Sequence, residues 1–465
     1  MLKYFENIIK SLKQKKHIEK EQLFNFIIHK NEVYITNVKN NIKSKITSLI
    51  IPREINEIPV TTIVKRAFEG CVNLKNIDLP ESIVEIGESS FCDCKSLEEI
   101  IIPKSVKKIE NHLFLNCVNL KNIDLPESVV EIGESSFRGC KSLEEIIIPK
   151  MVKSIGGYSA FANCSSLKKI IIPESVTYLG PYIFEYCTAL EEISIPESVI
   201  SIGESPFKGC CNLKEITIPK SVTQIGVHPK YLYNFGRDIF IGCKNLRKIT
   251  ILASITDIWN DAFVGCNSLE EISIPESVTF IGDNLFGNCN SLKNIMISDS
   301  NLKYKSIDGV LFDKDLKTII AYPNAKNHIY SIPSSVNSIG ISAFSSCINL
   351  EKITIPNSVT SINNMAFFGC KNLTKIIISS SITTIGDYAF MHCSNLEEII
   401  IPSSVKTIGI HAFNHCSKLK EITIPTSVNY IGEGAFYLCD NLSKIKCSRK
   451  TKVSQFGNIL IEFFD

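Results

Sequence analysis

Eighteen of the 465 residues are cysteines, whose thiols can form disulfides, bind metals or act as nucleophiles. A further use is as a small apolar residue in a core. Fifteen of them recur at intervals of 23 residues, apart from single intervals of 24, 33 and 58. A fixed period of this length is typical of stacked structural repeats. These column cysteines are Cys71, Cys94, Cys117, Cys140, Cys164, Cys187, Cys210, Cys243, Cys266, Cys289, Cys347, Cys370, Cys393, Cys416 and Cys439.

The period decides among these chemistries. In a stack of coils, equivalent side chains point the same way, so neighbouring Cβ atoms do not converge as a disulfide requires. The cysteines also lack C-x-x-C pairs and other convergent sets of metal ligands. We therefore expect free, buried thiols and no bound metal. Cys92 and Cys211 fall outside the period, and each should supply one extra, exposed thiol.

Glutamates and histidines offer two further chemistries. Adjacent glutamates such as Glu191-Glu192 could act as the acid and base of a glycosidase. Neighbouring coils often carry lysines at the same position, however, which favours a solvated stripe of ion pairs. His392 and His415 precede column cysteines and lie 23 residues apart, so stacking should bring them together with His411 nearby. These histidines could bind Zn or Ni, or they could be ordinary surface and turn residues.

Motifs of common enzymes are missing from the sequence, including G-x-x-x-x-G-K-[ST], G-x-G-x-x-G, H-E-x-x-H and G-x-S-x-G. The charges nearly balance, with 50 Lys plus Arg against 48 Asp plus Glu, which removes the electrostatic basis for binding nucleic acid. No stretch approaches the roughly 18–20 apolar residues of a membrane-spanning helix. We expect no catalytic activity, cofactor, nucleic-acid partner or transmembrane segment.

The repeating unit itself predicts the elements that position these residues. Its general form is C-x-x-L-x-x-I-x-I-P-x-S-V-x-x-I-G-x-x-A-F-x-x. The alternation in L-x-x-I-x-I is typical of a half-buried strand, and the proline after it, such as Pro80, marks the strand's end. The second half, with a turn glycine such as Gly87, should form another short extended or turn segment. A coil of this length buries its apolar residues only against neighbouring coils.

The pattern predicts a mainly β repeat solenoid, a rod or horseshoe with one parallel strand per coil on its main sheet. At about 4.8 Å between strands, the fifteen or sixteen coils would extend roughly 75 Å. The unit resembles the BspA-like class of leucine-rich repeats over about residues 40–447. Ile58–Phe68 resembles the opening coil of such arrays, and Tyr304–Pro323 resembles a hairpin-like island found in them. The resemblance implies no catalytic residues, and it implies surface-associated proteins that bind matrix components, host cells or other cells.

The ends depart from the repeat and divide the chain into three parts. Residues 1–30 form a basic segment in which Leu2, Phe5, Ile9 and Leu12 have helical spacing, so we expect a short N-terminal helix. It could cover the first coil or lie on a membrane surface. Residues 31–447 form the solenoid. Residues 448–465 should fold over the last coil as a C-terminal cap.

Two insertions, at about 227–238 and 298–330, interrupt the solenoid. The first is rich in aromatic residues, and the only tryptophan lies one repeat later, where it should pack beneath the inserted loop or join an aromatic patch. The second should form a hairpin that projects from the rod as a plain insertion or a binding epitope. The candidate partner-binding residues of these regions are His228, Tyr231, Tyr233, Phe235, Trp259, Tyr304, Asp313, Lys314 and Asp315.

A third candidate surface is the outward position between the two strand isoleucines, which is aliphatic and hydroxyl-rich. It comprises Asp78, Ile101, Asp124, Ile147, Ile171, Ser194, Thr217, Thr250, Ser273, Met296, Thr354, Ile377, Ile400 and Thr423. We expect a non-catalytic monomer that presents an extended surface to a protein partner; the alternative is a cell-surface adhesin that binds matrix or host-cell components. The lack of a recognisable export signal favours the cytoplasm, with display by unconventional export as the alternative.

Overall fold

The computed structural model describes residues 23–226, 238–448, 452–453 and 460–463. Within these ranges the chain forms no α-helix, and its regular elements are short strands. The strands follow a regular order along the chain: a strand of three or four residues, a turn at proline, a strand of two residues, and a second turn that ends at the column cysteine. The predicted β solenoid is therefore confirmed.

In chain order, the first twenty strands are β1 (Phe24–His29), β2 (Glu32–Val38), β3 (Ser48–Ile50), β4 (Glu54–Ile55), β5 (Ile58–Ile63), β6 (Asn76–Asp78), β7 (Glu85–Ile86), β8 (Glu99–Ile101), β9 (Lys108–Ile109), β10 (Asn122–Asp124), β11 (Glu131–Ile132), β12 (Glu145–Ile147), β13 (Ser154–Ile155), β14 (Lys169–Ile171), β15 (Tyr178–Leu179), β16 (Glu192–Ser194), β17 (Ser201–Ile202), β18 (Glu215–Ile218), β19 (Gln224–Ile225) and β20 (Lys248–Ile251). The remaining strands are β21 (Asp257–Ile258), β22 (Glu271–Ile274), β23 (Phe280–Ile281), β24 (Asn294–Ile297), β25 (Tyr304–Ile307), β26 (Val310–Asp313), β27 (Thr318–Ala321), β28 (Ile329–Ser331), β29 (Ser338–Ile339), β30 (Lys352–Thr354), β31 (Ser361–Ile362), β32 (Lys375–Ile377), β33 (Thr384–Ile385), β34 (Thr407–Ile408), β35 (Glu421–Thr423), β36 (Tyr430–Ile431), β37 (Lys444–Cys447), β38 (Lys452–Val453) and β39 (Leu460–Phe463).

The longer strands form the main parallel sheet, which consists of several hydrogen-bonded runs such as β12-β14-β16-β18-β20, and paired residues lie beside their equivalents in the next coil. In β8 and β10, for example, Ile100 pairs with Ile123. The register survives the first insertion, because Ile216 of β18 still pairs with Ile249 of β20. The insertion therefore does not shift the register of the main sheet.

The two-residue strands form a second parallel sheet, in the half of the unit where a short extended segment was expected. The turn glycine that follows such a strand donates its N–H to the preceding coil, as Gly203 does to Leu179 O at 2.8 Å. A Cβ on Gly203 would lie 2.4 Å from Pro181 N, so this close approach requires glycine. Glu110, Trp259 and Asn363 replace the glycine in three of the coils. The second sheet is interrupted before the strands that precede Glu110 and Trp259, β9 and β21, but it continues through β31, which precedes Asn363.

Stacked rings run along the turn side of the core. Successive phenylalanines of the A-F position lie with centroids 5.0–6.0 Å apart, and most pairs are within 20° of parallel. Their offset stacking adds to the free energy gained by burying each ring. Tyr322 continues the series in the island, where its ring lies 5.1 Å from that of Phe344. Together with the aliphatic residues of both sheets, these rings make up the apolar core.

The N-terminal prediction needs a correction. Residues 24–29 form strand β1, which pairs in an antiparallel hairpin with β2, and not a helix. Alternating burial in β2, with Val33 and Ile35 enclosed, is a strand pattern, and β2 joins the second sheet through β5. Leu2, Phe5, Ile9 and Leu12, on which the helix prediction rested, lie outside the described residues.

The second insertion also differs from the prediction. Asp308 and Gly309 have φ values of 48° and 73°, as expected for the type I′ turn of a hairpin, which joins β25 to β26. The hairpin does not project from the rod. Strand β27 pairs with β26 and then with β29, so the meander is built into the second sheet. Val310, Leu311 and Phe312 are all buried, because they lie where the apolar core divides into two clusters.

The described strands of the predicted C-terminal cap add to both sheets at the end of the array, because β38 pairs in parallel with β36 of the second sheet. Strand β39 pairs in parallel with β37, and Lys444 forms an ion pair with Glu462 at 2.5 Å. Phe463 remains 43% exposed. Phe456, Ile459 and Phe464 lie outside the part of the chain that the structure describes.

Candidate protein-binding surface

The column cysteines are free, buried thiols, as predicted. From Cys94 onward, each Sγ donates a hydrogen bond to the backbone carbonyl of the aromatic residue in the preceding coil, at 3.0–3.7 Å. The bond from Cys187 to Phe161 O, at 3.1 Å, is representative. The Phe161 carbonyl also accepts the N–H of Cys164, in its own coil, at 3.2 Å. The thiol therefore adds a second hydrogen bond to a buried carbonyl, which gives the column a structural role between coils.

Burial makes these thiols poor nucleophiles, because it disfavours the thiolate. It raises the pKa of Cys71 to about 11 and that of Cys289 to about 12. Cys92 was expected to be exposed but is 6% exposed, and burial raises its pKa to about 12. The Cys92 side chain is buried within the turn that ends at the column cysteine Cys94. Cys211 is half-buried.

Thiol labelling provides a direct check of this arrangement. In the native protein, we expect brief alkylation to modify Cys211 first and to leave the column cysteines unmodified, because they are buried. In denaturant, all 18 cysteines should react. Mass spectrometry of the native and denatured samples measures how many cysteines are alkylated in each, and which ones. Rapid native labelling of Cys187 or its column neighbours would contradict the packing described here.

His392 and His415 do stack, with ring centroids 4.5 Å apart and an interplanar angle of 25°. His411 is engaged elsewhere: its Nδ1 lies 2.8 Å from Asn414 Nδ2. In the part of the chain that the structure describes, His, Cys, Asp and Glu side chains form no group of three or more that could hold a metal. The stack is thus part of a surface ladder, in which His392 also meets the edge of Phe368 at 5.5 Å.

This histidine stack predicts a pH dependence of stability. Burial, the neighbouring His415 and Lys371 lower the pKa of His392 in the folded protein. The unfolded chain therefore binds a proton more readily, and stability should fall as the pH decreases through about 6.5. His392→Asn should weaken this decrease, and asparagine suits the left-handed backbone there, where φ is 62°. Urea unfolding at pH 7.5 and 5.5 measures the difference.

His112→Asn is the matched control, because His112 has a similar φ of 57° but stacks on no other imidazole in the described structure. Its unfolding midpoint should change with pH as much as that of the unmodified protein. A loss of pH dependence in both variants, or in neither, would contradict the assignment to His392.

The adjacent glutamates belong to a charged ladder between coils. Lys168 pairs with Glu144 at 2.8 Å, and Lys214 pairs with Glu191 at 2.6 Å. A third pair joins Lys293 to Glu270 at 3.1 Å. Bonding to lysine lowers the pKa of Glu144 and of Glu191. Glycosidase chemistry needs a carboxyl whose pKa is raised, so these pairs fit a solvated stripe better than an acid–base pair.

The outward position of the longer strands is mostly exposed along the array, and we call this surface the sheet face. Its aliphatic members are unusually accessible: Ile101 is 69% exposed, Ile147 68% and Ile400 81%. The backbone groups beneath Ile101 and Ile147 are hydrogen-bonded to neighbouring strands, so the side chains are what these positions offer to a partner. The further members with large exposed apolar side chains are Ile171, Met296 and Ile377.

A groove crosses the sheet face at β20, β22 and β24, with a volume of about 680 Å³. Leu252 and Met296, 45% and 42% exposed, supply apolar surface to it. Lys248, Glu271 and Lys293 place both signs of charge along it. The groove can hold apolar side chains of a partner between charged groups.

Trp259 lies one repeat after the first insertion. His228, Tyr231, Tyr233 and Phe235 lie outside the described residues. Trp259 is half-buried and packs on Phe280 of the next coil, with ring centroids 5.0 Å apart. The structure therefore brings Trp259 together with Phe280, a contact that the sequence analysis did not anticipate.

The island candidates have hydrogen bonds that support the hairpin. The Tyr304 hydroxyl accepts a bond from Ile281 N at 2.9 Å, and burial raises the pKa of Tyr304. Asp313 accepts bonds from the backbone of the turn that follows it, at 2.7 and 2.9 Å. Lys314 Nζ donates to Asn301 O at 2.5 Å. Asp315 is exposed on the same turn.

Sequence reasoning missed two backbone columns in the turn before each cysteine. The residue that precedes every column cysteine has a positive φ, and so does the residue four positions earlier. Asp93 and Asn163, with φ of 57° and 62°, illustrate the first column. Frequent Gly, Asn, Asp and Ser at these two positions were the available signal. Asn324 was also missed: it replaces cysteine in the island coil and donates to Ser345 O and Ser346 O.

Comparison with known families matches this architecture. The BspA type leucine rich repeat region, a model of six copies, matches residues 37–159, 107–229, 227–332 and 320–443. The chain belongs to the BspA type of leucine-rich repeat proteins. The expected resemblance is thereby confirmed, and the repeat period, the solenoid and its strands follow the family.

Solved structures of bacterial leucine-rich repeat proteins are similar to this BspA type chain. A leucine-rich repeat protein from Bacteroides ovatus is 25% identical, with 95% of this chain and 98% of that chain covered and a TM-score of 0.51. A leucine rich cell surface protein from Faecalibacterium prausnitzii is 27% identical, with 92% and 94% covered and a TM-score of 0.42. A comparison with curated proteins gives no match.

Over residues 23–226 and 238–448, no helix is long and apolar enough to cross a bilayer.

Proposed function

We propose that the protein is a non-catalytic leucine-rich repeat protein that recognises another protein through the sheet face. The observation that carries the proposal is the row of exposed isoleucines on strands that are otherwise polar outside. Apolar side chains clustered on a soluble surface are typical of interaction sites, because a partner removes them from water. Ile147 and Ile171 lie beside each other in paired strands, so their exposed areas form one patch.

The other chemically active groups are occupied in the fold, which supports a binding role over a catalytic one. The column thiols donate to backbone carbonyls, and the glutamates of the charged ladder are bonded to lysines. The histidines stack at the surface without a third metal ligand in the described residues. What remains available on the sheet face is apolar area, hydroxyl groups and charge, which are the components of a protein interface.

Paired aspartate substitutions test the proposal. The sheet-face variant, Ile147→Asp with Ile171→Asp, places two charges within the patch. The control variant, Val130→Asp with Ile200→Asp, places two charges beside the short strands. Val130 and Ile200 are also exposed, at 45% and 54%. Tagged forms of both variants, expressed in the source cells, should be compared by quantitative mass spectrometry of the proteins that copurify with them.

A specific set of copurifying proteins should be lost from the sheet-face variant and kept by the control variant. Equal retention by both variants would contradict recognition through the sheet face. Circular dichroism of the purified variants shows that each remains folded, which the exposure of all four positions leads us to expect.

A further inference from the structure

The exposed charges along the sheet face follow an order that is complementary to its own reverse. Seven successive coils each carry two adjacent side chains at the start of the strand, and their charges run negative, positive, negative, neutral, positive, negative, positive. Reversing this order inverts every sign about the neutral coil. The pairs are Glu144-Glu145, Lys168-Lys169, Glu191-Glu192, Lys214-Glu215, Arg247-Lys248, Glu270-Glu271 and Lys293-Asn294.

We propose that the sheet face binds the sheet face of a second copy of this chain. The two-fold axis would lie parallel to the strands and pass through the coil of Lys214-Glu215. Such an axis reverses the order of coils but keeps each position along the strand facing its equivalent, as an isologous interface requires. Lys169 then faces Glu271 of the other copy, and Glu192 faces Lys248. Each contact occurs twice.

The charges in these contacts are available. Lys169, Glu192, Lys248 and Glu271 are exposed, and in the described structure no ion pair includes them. The residue that precedes each of these four occupies the position of the charged ladder within one copy, in which Lys168, for example, pairs with Glu144. Complementary charges across an interface fix its register and favour association, so this order selects one alignment of the two arrays.

The shapes of the two halves are also complementary under the same axis. Ile147 lies opposite Met296, and Ile171 lies opposite Ser273. The isoleucines are 68% and 55% exposed and therefore protrude, whereas Met296 and Ser273 line the groove across β20, β22 and β24. Each copy thus presents projecting isoleucines to the groove of the other.

The size of the patch indicates a weak dimer. Coils about 4.8 Å apart give seven strands a span of about 30 Å, and side chains along a short strand cover about 15 Å, so both copies together would bury about 900 Å². This area falls in the class of weak, transient interfaces. Dissociation should be promoted by salt, because exposed charges set the alignment. The proposal replaces the expected monomer and rests on the proposed function, since it names a partner for the same surface.

Charge reversal with rescue tests the inference. We expect sedimentation velocity of the full chain to show a concentration-dependent dimer that weakens between about 50 mM and about 500 mM NaCl. Lys169→Glu alone and Glu271→Lys alone should each weaken the dimer at least about tenfold, since two contacts become repulsive. A mixture of the two variants should restore it. In the mixed dimer, one contact joins the introduced glutamate to the introduced lysine, and the other keeps the original Lys169 facing the original Glu271.

Lys375→Glu is the matched control: it makes the same change of charge at the same strand position of β32, outside the patch. It should leave the dimer unchanged. A protein that is monomeric at every concentration overturns the proposal, as does a failure of the mixture to dimerise or an equal effect of Lys375→Glu. If the isoleucine variants still lose a copurifying protein in that case, the proposed function stands without self-association; if they lose none, both proposals fail.

Discussion

Replacing Cys187 by alanine is expected to lower the free energy of unfolding by about 2–4 kcal/mol. The substitution removes a fully buried sulfur and leaves a small cavity. It also removes the thiol that donates to the Phe161 carbonyl at 3.1 Å, while the carbonyl keeps its bond from Cys164 N at 3.2 Å. Stacked repeats depend on the interfaces between neighbours, so the loss should appear as a lower urea midpoint of the whole array.

Cys211→Ala is the control for this effect, because Cys211 is half-buried and lies outside the column. It should change stability by less than about 0.5 kcal/mol. Cys187→Ser should recover part of the loss, because the serine hydroxyl is still a hydrogen-bond donor. The recovery should be partial, because oxygen is smaller than sulfur and lies closer to Cβ. Equal midpoints for Cys187→Ala and Cys211→Ala would show that the thiol–carbonyl bond contributes nothing to the stack.

Phe137→Ala is expected to cost more, about 3–5 kcal/mol. The ring is fully buried and stacks on Phe114 at 5.5 Å and on Phe161 at 5.3 Å, so its removal opens a cavity on both sides. Phe137→Leu should cost less, because it keeps most of the apolar volume. Thermal and urea unfolding of the purified variants measure both losses.

Tyr437→Ala removes an aromatic ring of similar size from the surface, where Tyr437 is 61% exposed. It should alter stability by no more than about 0.5 kcal/mol. Should Phe137→Ala unfold at the same urea concentration as Tyr437→Ala, the ring ladder would not be a main source of stability in this array.

The repeat could be predicted from the sequence because each position recurs in an equivalent environment. The alternation before Pro80 and the spacing of the cysteines were enough to predict the parallel strands, their register and the buried thiols. Segments outside the repeat occur only once, so the sequence offers no equivalent positions with which to compare them. Residues 24–29 were assigned to a helix, but a strand results because Phe24 packs into the core while β1 pairs with β2.

The island shows the same limit. Its Asp308-Gly309 turn was readable, because that dipeptide suits two successive positive φ values. Whether the hairpin projects or packs depends on contacts with coils on both sides, and the burial of Leu311 and Phe312 between two core clusters has no local signature.

The candidate surface was predictable in part for a similar reason. Strand alternation places Ile147 and Ile400 outside, and their exposure confirms it. The groove could not be foreseen, since it depends on how three neighbouring strands and Leu252 are arranged in space. The hydrogen bonds of Tyr304 and Lys314 likewise depend on contacts with distant backbone.

Site-specific photocrosslinking tests the central claim, that the sheet face is the binding surface, most directly. A photoreactive residue placed at Ile147 reports on the sheet face, and one placed at Ile200 reports on an exposed aliphatic position beside a short strand. After irradiation of intact source cells, we predict discrete crosslinked protein species from position 147 and only background from position 200. Crosslinks confined to position 200, or none above background at either position, would contradict the claim.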